Sequence, residues 1–240
     1  MYVFLSQIKN NMSENLLLKY LSLRTAETPS KDKGAVITIS REYGCEGYEL
    51  AELLQNAINK KNKHKENHPK WRILCKEIIE EAAAELHSSP EKLLHILNSE
   101  VRGIIEDMIT SFTDKNYYSD NRIKQKMHEV IRKYAEEGHV IILGRAGCVI
   151  AKDIPNSLHI RIIAPFEWRV KHVAEKHKLS LSDAEFRVTE IDNHRSNFIR
   201  IYKCDITESK NFDIIFNRSN FSNEEIALSV MNILEERKLI

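Results

Sequence analysis

The chain has 240 residues, with 36 Lys and Arg against 35 Asp and Glu, for a formal net charge of +1 at pH 7. A chain of this length can bury one sizeable hydrophobic core, and its near-neutral charge gives no overall attraction to polyanions. No apolar run is long enough to span a bilayer. We therefore expect neither a nucleic-acid partner nor a membrane partner.

The four cysteines are widely spaced and include no CxxC pair. This usage is typical of a reducing compartment and argues against a disulfide framework or a zinc site. The apolar stretch at the start of the chain is too short for a signal peptide. Together these features predict a cytoplasmic protein without a metal held by cysteines.

Residues 1–33 stand apart from the rest of the chain. They contain a short amphipathic pattern over 15–24, followed by a polar, Pro- and Gly-containing linker over 28–34. The favoured interpretation is an extension that docks on the main domain or stays partly unfolded. The alternative is a contact between copies of the chain, which would make a homo-oligomer.

The most informative stretch follows this linker. Val36 to Ile39 has the β-branched composition of a short buried strand, and residues 48–54 have the pattern of an amphipathic helix. The loop between them, Ser40 to Gly47, contains two glycines. A strand, a glycine-bearing loop and a helix start bring backbone N–H groups and a helix dipole together, which favours phosphate binding. A tight turn without a ligand is the alternative.

This loop differs from a regular P-loop. That motif ends in Gly-Lys-Ser/Thr, whose lysine reaches the β- and γ-phosphates. When Gly47 is aligned with the last glycine, Tyr48 stands at the lysine position. Any phosphate binding by this loop must therefore rely on its backbone and on cations from elsewhere.

The next part of the chain predicts a short strand over 72–74 and then helices over 76–138. A helix start is indicated at Ser88 to Glu91, and a helix over 121–137 is expected to end at Gly138. A continuous apolar run over 140–143 is typical of a parallel strand that is covered on both faces. Arg145 follows this strand directly, where open α/β sheets meet their ligands.

The C-terminal part predicts strands over 158–163 and 212–216. Between them come a basic helix over 166–178 and a second helix that begins with the capping sequence Ser180 to Asp183. A last helix is predicted over 223–237. Strands that alternate with helices in this way predict an α/β fold, in which five parallel strands are sandwiched by helices and the first strand is interior.

Four blocks of the sequence, in this order, resemble the cytidylate kinase-like family, a divergent branch of the P-loop nucleoside monophosphate kinases. The resemblance implies a P-loop NTPase-like three-layer sandwich over residues 34–240, with a helical insertion at about 76–138 and a lid at about 166–205. The matching blocks are Ile37–Gly44 with Gly47, Val140–Arg145, Leu158–Pro165 with Arg169, and Asp192–Arg195.

The resemblance also implies ATP-dependent phosphoryl transfer to a nucleoside monophosphate, with cytidylate as the expected acceptor and Mg²⁺ as the metal. No protein ligand for the metal is identified. The residues expected to bind the ATP phosphates are Ser40, Tyr43, Gly44, Cys45, Glu46, Gly47 and Tyr48. The residues expected to act in catalysis are Arg41, Arg169 and Arg195. The residues expected to bind the acceptor are Arg145, Asp192 and Arg195.

A second interpretation remains open at this point. Tyr48, Leu50 and Cys75 stand where the family has functional or small residues, which favours a nucleotide-binding regulatory protein that has lost catalysis. Relatives of this branch also lack the P-loop lysine, so the kinase interpretation is favoured. A scaffold without any ligand is the third and least favoured interpretation.

Overall fold

A five-stranded parallel sheet lies at the centre of the computed structural model, which describes residues 34–63, 69–91, 120–200, 202 and 204–240. The strand order is β2-β3-β1-β4-β5, and every pair of neighbours is parallel. The strands are β1 (Val36–Arg41), β2 (Arg72–Leu74), β3 (Val140–Leu143), β4 (Ser157–Ile163) and β5 (Ile214–Asn217).

The predicted sheet is confirmed. β1 pairs with β3 on one side and with β4 on the other, as expected for the interior strand. The last strand begins at Ile214, two residues later than the pattern indicated, because Ser209–Asn211 forms a turn of 3₁₀ helix and Phe212 and Asp213 lie outside the strand. The order of the strands brings the carboxyl ends of β1, β3 and β4 to one edge.

Helices cover both faces of the sheet, because side chains of β1 point alternately to two hydrophobic clusters. Ile37 and Ile39 pack into the cluster on one face of the sheet, and Val36 packs into the cluster on the other face. The helices are α1 (Gly47–Asn62), α2 (Glu77–Glu85), α3 (Asp120–Glu137), α4 (Gly147–Ile150), α5 (Phe166–His177), α6 (Leu181–Arg200) and α7 (Asn223–Glu236).

The apolar faces of these helices decide the layer to which each belongs. α1 and α7 bury Leu50, Leu54, Ile226 and Val230 against the face that carries Ile37. α2, α3 and α4 pack on the opposite face. α5 and α6 pack on each other through a third cluster that includes Val173 and Val188. The result is an α/β sandwich of three layers with a helical pair above the carboxyl edge of the sheet.

Several helix ends follow the sequence signals. α6 begins after Ser180, whose Oγ accepts a hydrogen bond from the Asp183 backbone at 3.1 Å. Ser222 and Glu225 form a complete capping box at the start of α7. At the helix start predicted for Ser88 to Glu91, residues 90 and 91 are helical. The patterns over 15–24 and 92–119 lie outside the described residues, as does the role proposed for residues 1–33.

Among the residues that the structure describes, no helix has both the length and the apolar character needed to cross a bilayer.

Gly138 ends α3 and fixes the approach of this helix to the start of β1. Its φ is 74°, in the left-handed region that favours glycine, and its backbone N–H donates to the Tyr134 carbonyl at 3.1 Å. A Cβ at this position would lie 2.1 Å from the Gly34 carbonyl oxygen. The turn therefore tolerates no side chain.

We expect Gly138→Ala to lower the free energy of unfolding by more than the roughly 1–2 kcal/mol of left-handed strain, because the clash with the Gly34 carbonyl adds to it. Lys178 is the matched control, since it is exposed and has a φ of 55° after α5. Lys178→Gly should raise stability by about 1 kcal/mol. Urea denaturation measures both; a stable Gly138→Ala protein would contradict this account of the turn.

Candidate functional site

The loop between β1 and α1, residues 42–46, lies at the carboxyl edge of the sheet. Its course is fixed by main-chain hydrogen bonds: the Glu42 N–H donates to the Ile162 carbonyl at 3.0 Å, and the Leu50 N–H donates to the Glu46 carbonyl at 3.2 Å. The Glu42 carboxylate accepts from the Ala164 N–H at 3.1 Å. The loop is therefore tied to the end of β4 at two points.

Gly44 is required where α5 crosses this loop. Its φ is 89°, and an added Cβ would lie 3.2 Å from the Arg169 carbonyl and 3.1 Å from a methyl group of Val173. Gly47 lies beside the stem of Arg41, whose Cγ would be 3.0 Å from an added Cβ. Both glycines that suggested a phosphate loop are thus positions of close approach.

Three arginines come together at this edge of the sheet: Arg41 is the last residue of β1, Arg145 follows β3, and Arg195 belongs to α6. Burial and the neighbouring Arg195 lower the pKa of Arg41 to about 9, and burial also lowers the pKa of Arg145 and of Arg195. Within the described ranges, no carboxylate lies within ion-pair distance of Arg41 or Arg145. Arg195 lies 4.0 Å from Asp192, but Arg41 and Arg145 are poorly solvated without such a pair among the described residues, which favours the binding of an anion.

The backbone after β3 is strained at the position of one of these arginines. Gly144, Arg145 and Ala146 have φ values of 74°, 53° and 56° in succession. An added Cβ at Gly144 would lie 2.2 Å from Arg41 Nη1, so this glycine leaves room for the guanidinium. Left-handed backbone at two residues other than glycine is costly and is commonly found at functional sites.

Side chains of α5 and α6 hold the loop from above. The Tyr43 N–H donates to Asp192 Oδ1 at 2.7 Å, and Arg169 Nη1 donates to the Tyr43 carbonyl at 3.1 Å and to Asp192 Oδ2 at 2.5 Å. Arg195 Nη1 donates to the Arg41 carbonyl at 3.2 Å. Three of the residues that the sequence assigned to the lid therefore contact the loop directly.

Glu46 lies at the start of α1 with a left-handed φ of 53°. Its carboxylate contacts Lys176, His172 and Arg218, each at 2.9 Å. Partial burial alone would raise the pKa of Glu46, but the contacts with Lys176, His172 and Arg218 lower it to about 2. The carboxylate is therefore ionised wherever the protein is folded near neutral pH.

Two cavities, each of about 260 Å³, open on either side of Arg41 and Arg195. The first, which we call the arginine cavity, is lined by Ser40, Arg41, Gly144, Arg145, His194 and Arg195 together with apolar side chains of α6. The second, the loop cavity, is lined by Arg41, Tyr43, Gly44, Glu46, Gly47, Tyr48, His172, Lys176 and Arg195. Two anions bound in these cavities would share the same pair of arginines.

For two of the residues that the sequence assigned to phosphate binding, the side chain has little part in the site. Cys45 is fully buried in the core, and burial, followed by the charge of Glu42, raises the pKa of its thiol to about 12. Only its backbone can face a ligand. The Tyr48 side chain is 50% exposed at the rim of the loop cavity and supplies no positive charge.

Four polar residues of the site were not identified from the sequence. Glu42 lies 3.3 Å from Arg169 and 3.5 Å from Arg161, and the other three are the partners of the Glu46 carboxylate. A signal existed for those three. His172 and Lys176 share a helix face with Arg169 through their spacing of three and four residues, and Arg218 follows β5 as Arg145 follows β3.

The described carboxylates at this edge of the sheet are paired with cationic side chains. Glu42, Glu46 and Asp192 are each engaged by at least one cationic side chain. In the part of the chain that the structure describes, no three His, Cys, Asp or Glu side chains are grouped so as to hold a metal ion.

Comparison with known proteins finds relatives among the cytidylate kinases. A cytidylate kinase from Sulfolobus acidocaldarius is 24% identical over 132 residues, covering 55% of this chain and 70% of the relative. A cytidylate kinase from Pyrococcus horikoshii is 30% identical over 93 residues, covering 38% of this chain and 47% of the relative.

Among solved structures, an uncharacterized protein from Eubacterium ventriosum shares the fold with a TM-score of 0.60 at 20% identity, over 85% of this chain and 99% of the other. The family model described as the cytidylate kinase-like family matches residues 36–220, from β1 to just beyond β5. The chain therefore belongs to the cytidylate kinase-like family.

Proposed function

We propose that this protein transfers the terminal phosphoryl group of ATP to a nucleoside monophosphate, with cytidylate as the acceptor. One observation carries the proposal. The loop cavity and the arginine cavity lie side by side and share Arg41 and Arg195, so that a donor and an acceptor phosphate would face each other across two guanidinium groups. Family membership supports a nucleotide kinase, and the named relatives suggest cytidylate.

In this proposal the donor lies in the loop cavity. The backbone N–H groups of Tyr43 to Tyr48 and the start of α1 bind its phosphates, since no lysine is available at residue 48. The Tyr43 N–H now donates to Asp192, so this hydrogen bond must be exchanged when phosphate binds. Arg169 loses its contact with Asp192 in the same movement but keeps its bonds to the Ala164 and Tyr43 carbonyls, so that it would position the loop beneath the donor.

The acceptor phosphate lies in the arginine cavity against Arg145. The bond between the terminal phosphorus and its bridging oxygen breaks while a bond to an acceptor phosphate oxygen forms, which leaves ADP and a nucleoside diphosphate. The transferred group carries negative charge throughout, and Arg41 and Arg195 lie where they would stabilise it. Positioning and electrostatics supply most of the catalysis in this class of reaction.

Mg²⁺ is the metal that this chemistry uses, and it neutralises charge on the donor phosphates. Because the nearby carboxylates are engaged by cations, the ion would be held mainly by phosphate oxygens and water. Asp192 is the nearest carboxylate that the exchange at Tyr43 would release.

A nucleotide-binding regulatory protein is the second candidate. The observation that favours it is Tyr48 at the lysine position, together with a loop whose polar groups are already engaged by Asp192 and Arg169. Consumption of ATP, measured by a coupled assay with Mg²⁺ and a panel of nucleoside monophosphates, separates the two functions. Turnover supports the kinase. Nucleotide binding by calorimetry without turnover supports the regulatory protein.

We expect Arg195→Ala to lower kcat/KM for the preferred nucleoside monophosphate by about 100- to 1,000-fold, because it removes a cation that both cavities share. Arg200→Ala is the control, since Arg200 is exposed on the same helix five residues away. It should change kcat/KM by less than about twofold. Steady-state kinetics on both variants, with circular dichroism to verify folding, makes the comparison. Equal effects would remove Arg195 from the mechanism.

Neighbouring positions in the loop should respond very differently to alanine. In Gly47→Ala the new methyl group presses on the stem of Arg41, so ATP should bind about tenfold more weakly or worse. Tyr48→Ala removes a half-exposed ring that carries no charge and should change affinity by less than about threefold. Isothermal titration with ATP and Mg²⁺ measures both. A larger loss in Tyr48→Ala would argue against phosphate binding by the backbone.

A further inference from the structure

The two oxygens of the Glu46 carboxylate have different partners. Oε1 lies 2.9 Å from both Lys176 Nζ and His172 Nε2, and Oε2 accepts a hydrogen bond from Arg218 Nη2 at 2.9 Å. His172 and Lys176 belong to α5 and line the loop cavity with Glu46. Arg218, which follows β5, does not line this cavity. Oε1 thus binds the cations of the cavity, while Oε2 is anchored behind it.

Two of the partners of Glu46, His172 and Arg218, are held in place independently of the carboxylate. The Trp168 ring stacks on His172, with centroids 4.9 Å apart and planes 6° apart, and the Arg218 guanidinium lies 5.7 Å from the centre of the Trp168 ring. Arg218 Nη1 also donates to the Phe221 carbonyl at 2.9 Å. These positions would therefore persist if Glu46 withdrew.

The backbone of Glu46 is strained. Its φ of 53° lies in the region that favours glycine, so a glycine at residue 46 would be the less strained choice. Residues held in this conformation persist where the surroundings compensate for the strain, and the contacts of the carboxylate with Lys176, His172 and Arg218 can do so here. The chain thus keeps an ionised carboxylate at the point of the loop that faces His172 and Lys176 of α5.

We propose that His172 and Lys176 form a binding subsite for a polyphosphate chain, and that Glu46 Oε1 fills this subsite in the free protein. The inference rests on the proposed function, since it assigns these two side chains to the donor side of the same site. A polyphosphate offers several charged oxygens that can replace Oε1 as the partner of Lys176 and His172, while Arg218 retains Oε2. Glu46 therefore competes with the donor and lowers its affinity.

The test uses inorganic triphosphate without Mg²⁺ as the probe, which separates this subsite from recognition of a base or a sugar. Isothermal titration should show that Glu46→Gln binds triphosphate about tenfold more tightly than the parent protein. Glu49→Gln is the matched control, because Glu49 lies in the same helical turn and contacts Lys176 at 2.5 Å. Glu49 forms no ion pair with His172 or Arg218. The gain of this control should be clearly smaller.

Two further variants secure the interpretation. Glu46→Gly removes the carboxylate and the left-handed strain together, so it should fold and bind as tightly as Glu46→Gln or more tightly. Adding Lys176→Met to Glu46→Gln should cancel most of the gain, which a purely structural role of Glu46 would not predict. Thermal unfolding establishes that each variant is folded. If Glu46→Gln does not fold, the triphosphate affinity of Glu46→Gly tests the inference in its place.

Folded Glu46→Gly or Glu46→Gln protein that binds triphosphate no more tightly than the parent would overturn the inference, and so would a gain equal to that of Glu49→Gln. The outcome is independent of turnover. Tighter triphosphate binding in a protein that never consumes ATP would support the subsite and reject the kinase. Turnover with unchanged triphosphate affinity would support the kinase and reject the subsite.

Discussion

The carboxyl edge of this sheet is organised around guanidinium groups that are buried away from water. Arg41, Arg145 and Arg195 share a cavity, and burial lowers the pKa of each. A guanidinium group that loses solvent without gaining a carboxylate raises the free energy of the folded state. The rest of the core must offset that cost, and a bound phosphate would recover part of it. The free energy of this arrangement thus favours an anion before any chemistry is considered.

The carboxylates are distributed unevenly about this cluster. Glu42, Glu46 and Asp192 all lie on the side of the loop and α5, where they compensate Arg169, Lys176 and Arg218. No acidic side chain lines the arginine cavity among the described residues, and the carboxylate paired with an arginine of this cavity is that of Asp192, 4.0 Å from Arg195. A ligand on the side of the loop must therefore displace protein carboxylates, whereas the described lining of the arginine cavity holds none to displace.

Much of the fold could be predicted from the sequence because its signals are local. The continuous apolar run over 140–143 and the β-branched run at 36–39 identify buried strands, and Gly138 and Ser180 mark helix ends through backbone geometry. The parallel arrangement of the strands follows from their alternation with helices. These inferences need no knowledge of distant contacts.

The candidate site was less predictable because its decisive contacts are not local. Asp192 and Tyr43 are 149 residues apart, and no pattern near either residue indicates that one accepts from the other. The same holds for Arg218 and Glu46. The sequence also does not reveal that the Cys45 side chain enters the core while its backbone stays in the loop. Spacing can identify which residues are near the edge of the sheet, but not which of their groups face a ligand.

The absence of a lysine at residue 48 changes how a donor would be bound. In a regular P-loop the lysine belongs to the loop, so it can pair with the donor phosphates whatever the position of the lid. Among the described residues, the lysine and arginine side chains that line the loop cavity, apart from Arg41, are Lys176 of α5 and Arg195 of α6. A donor in this cavity would gain most of its charge compensation only with these helices docked. Donor binding and docking of the helical pair would then be a single equilibrium, because each supplies the charge that the other lacks.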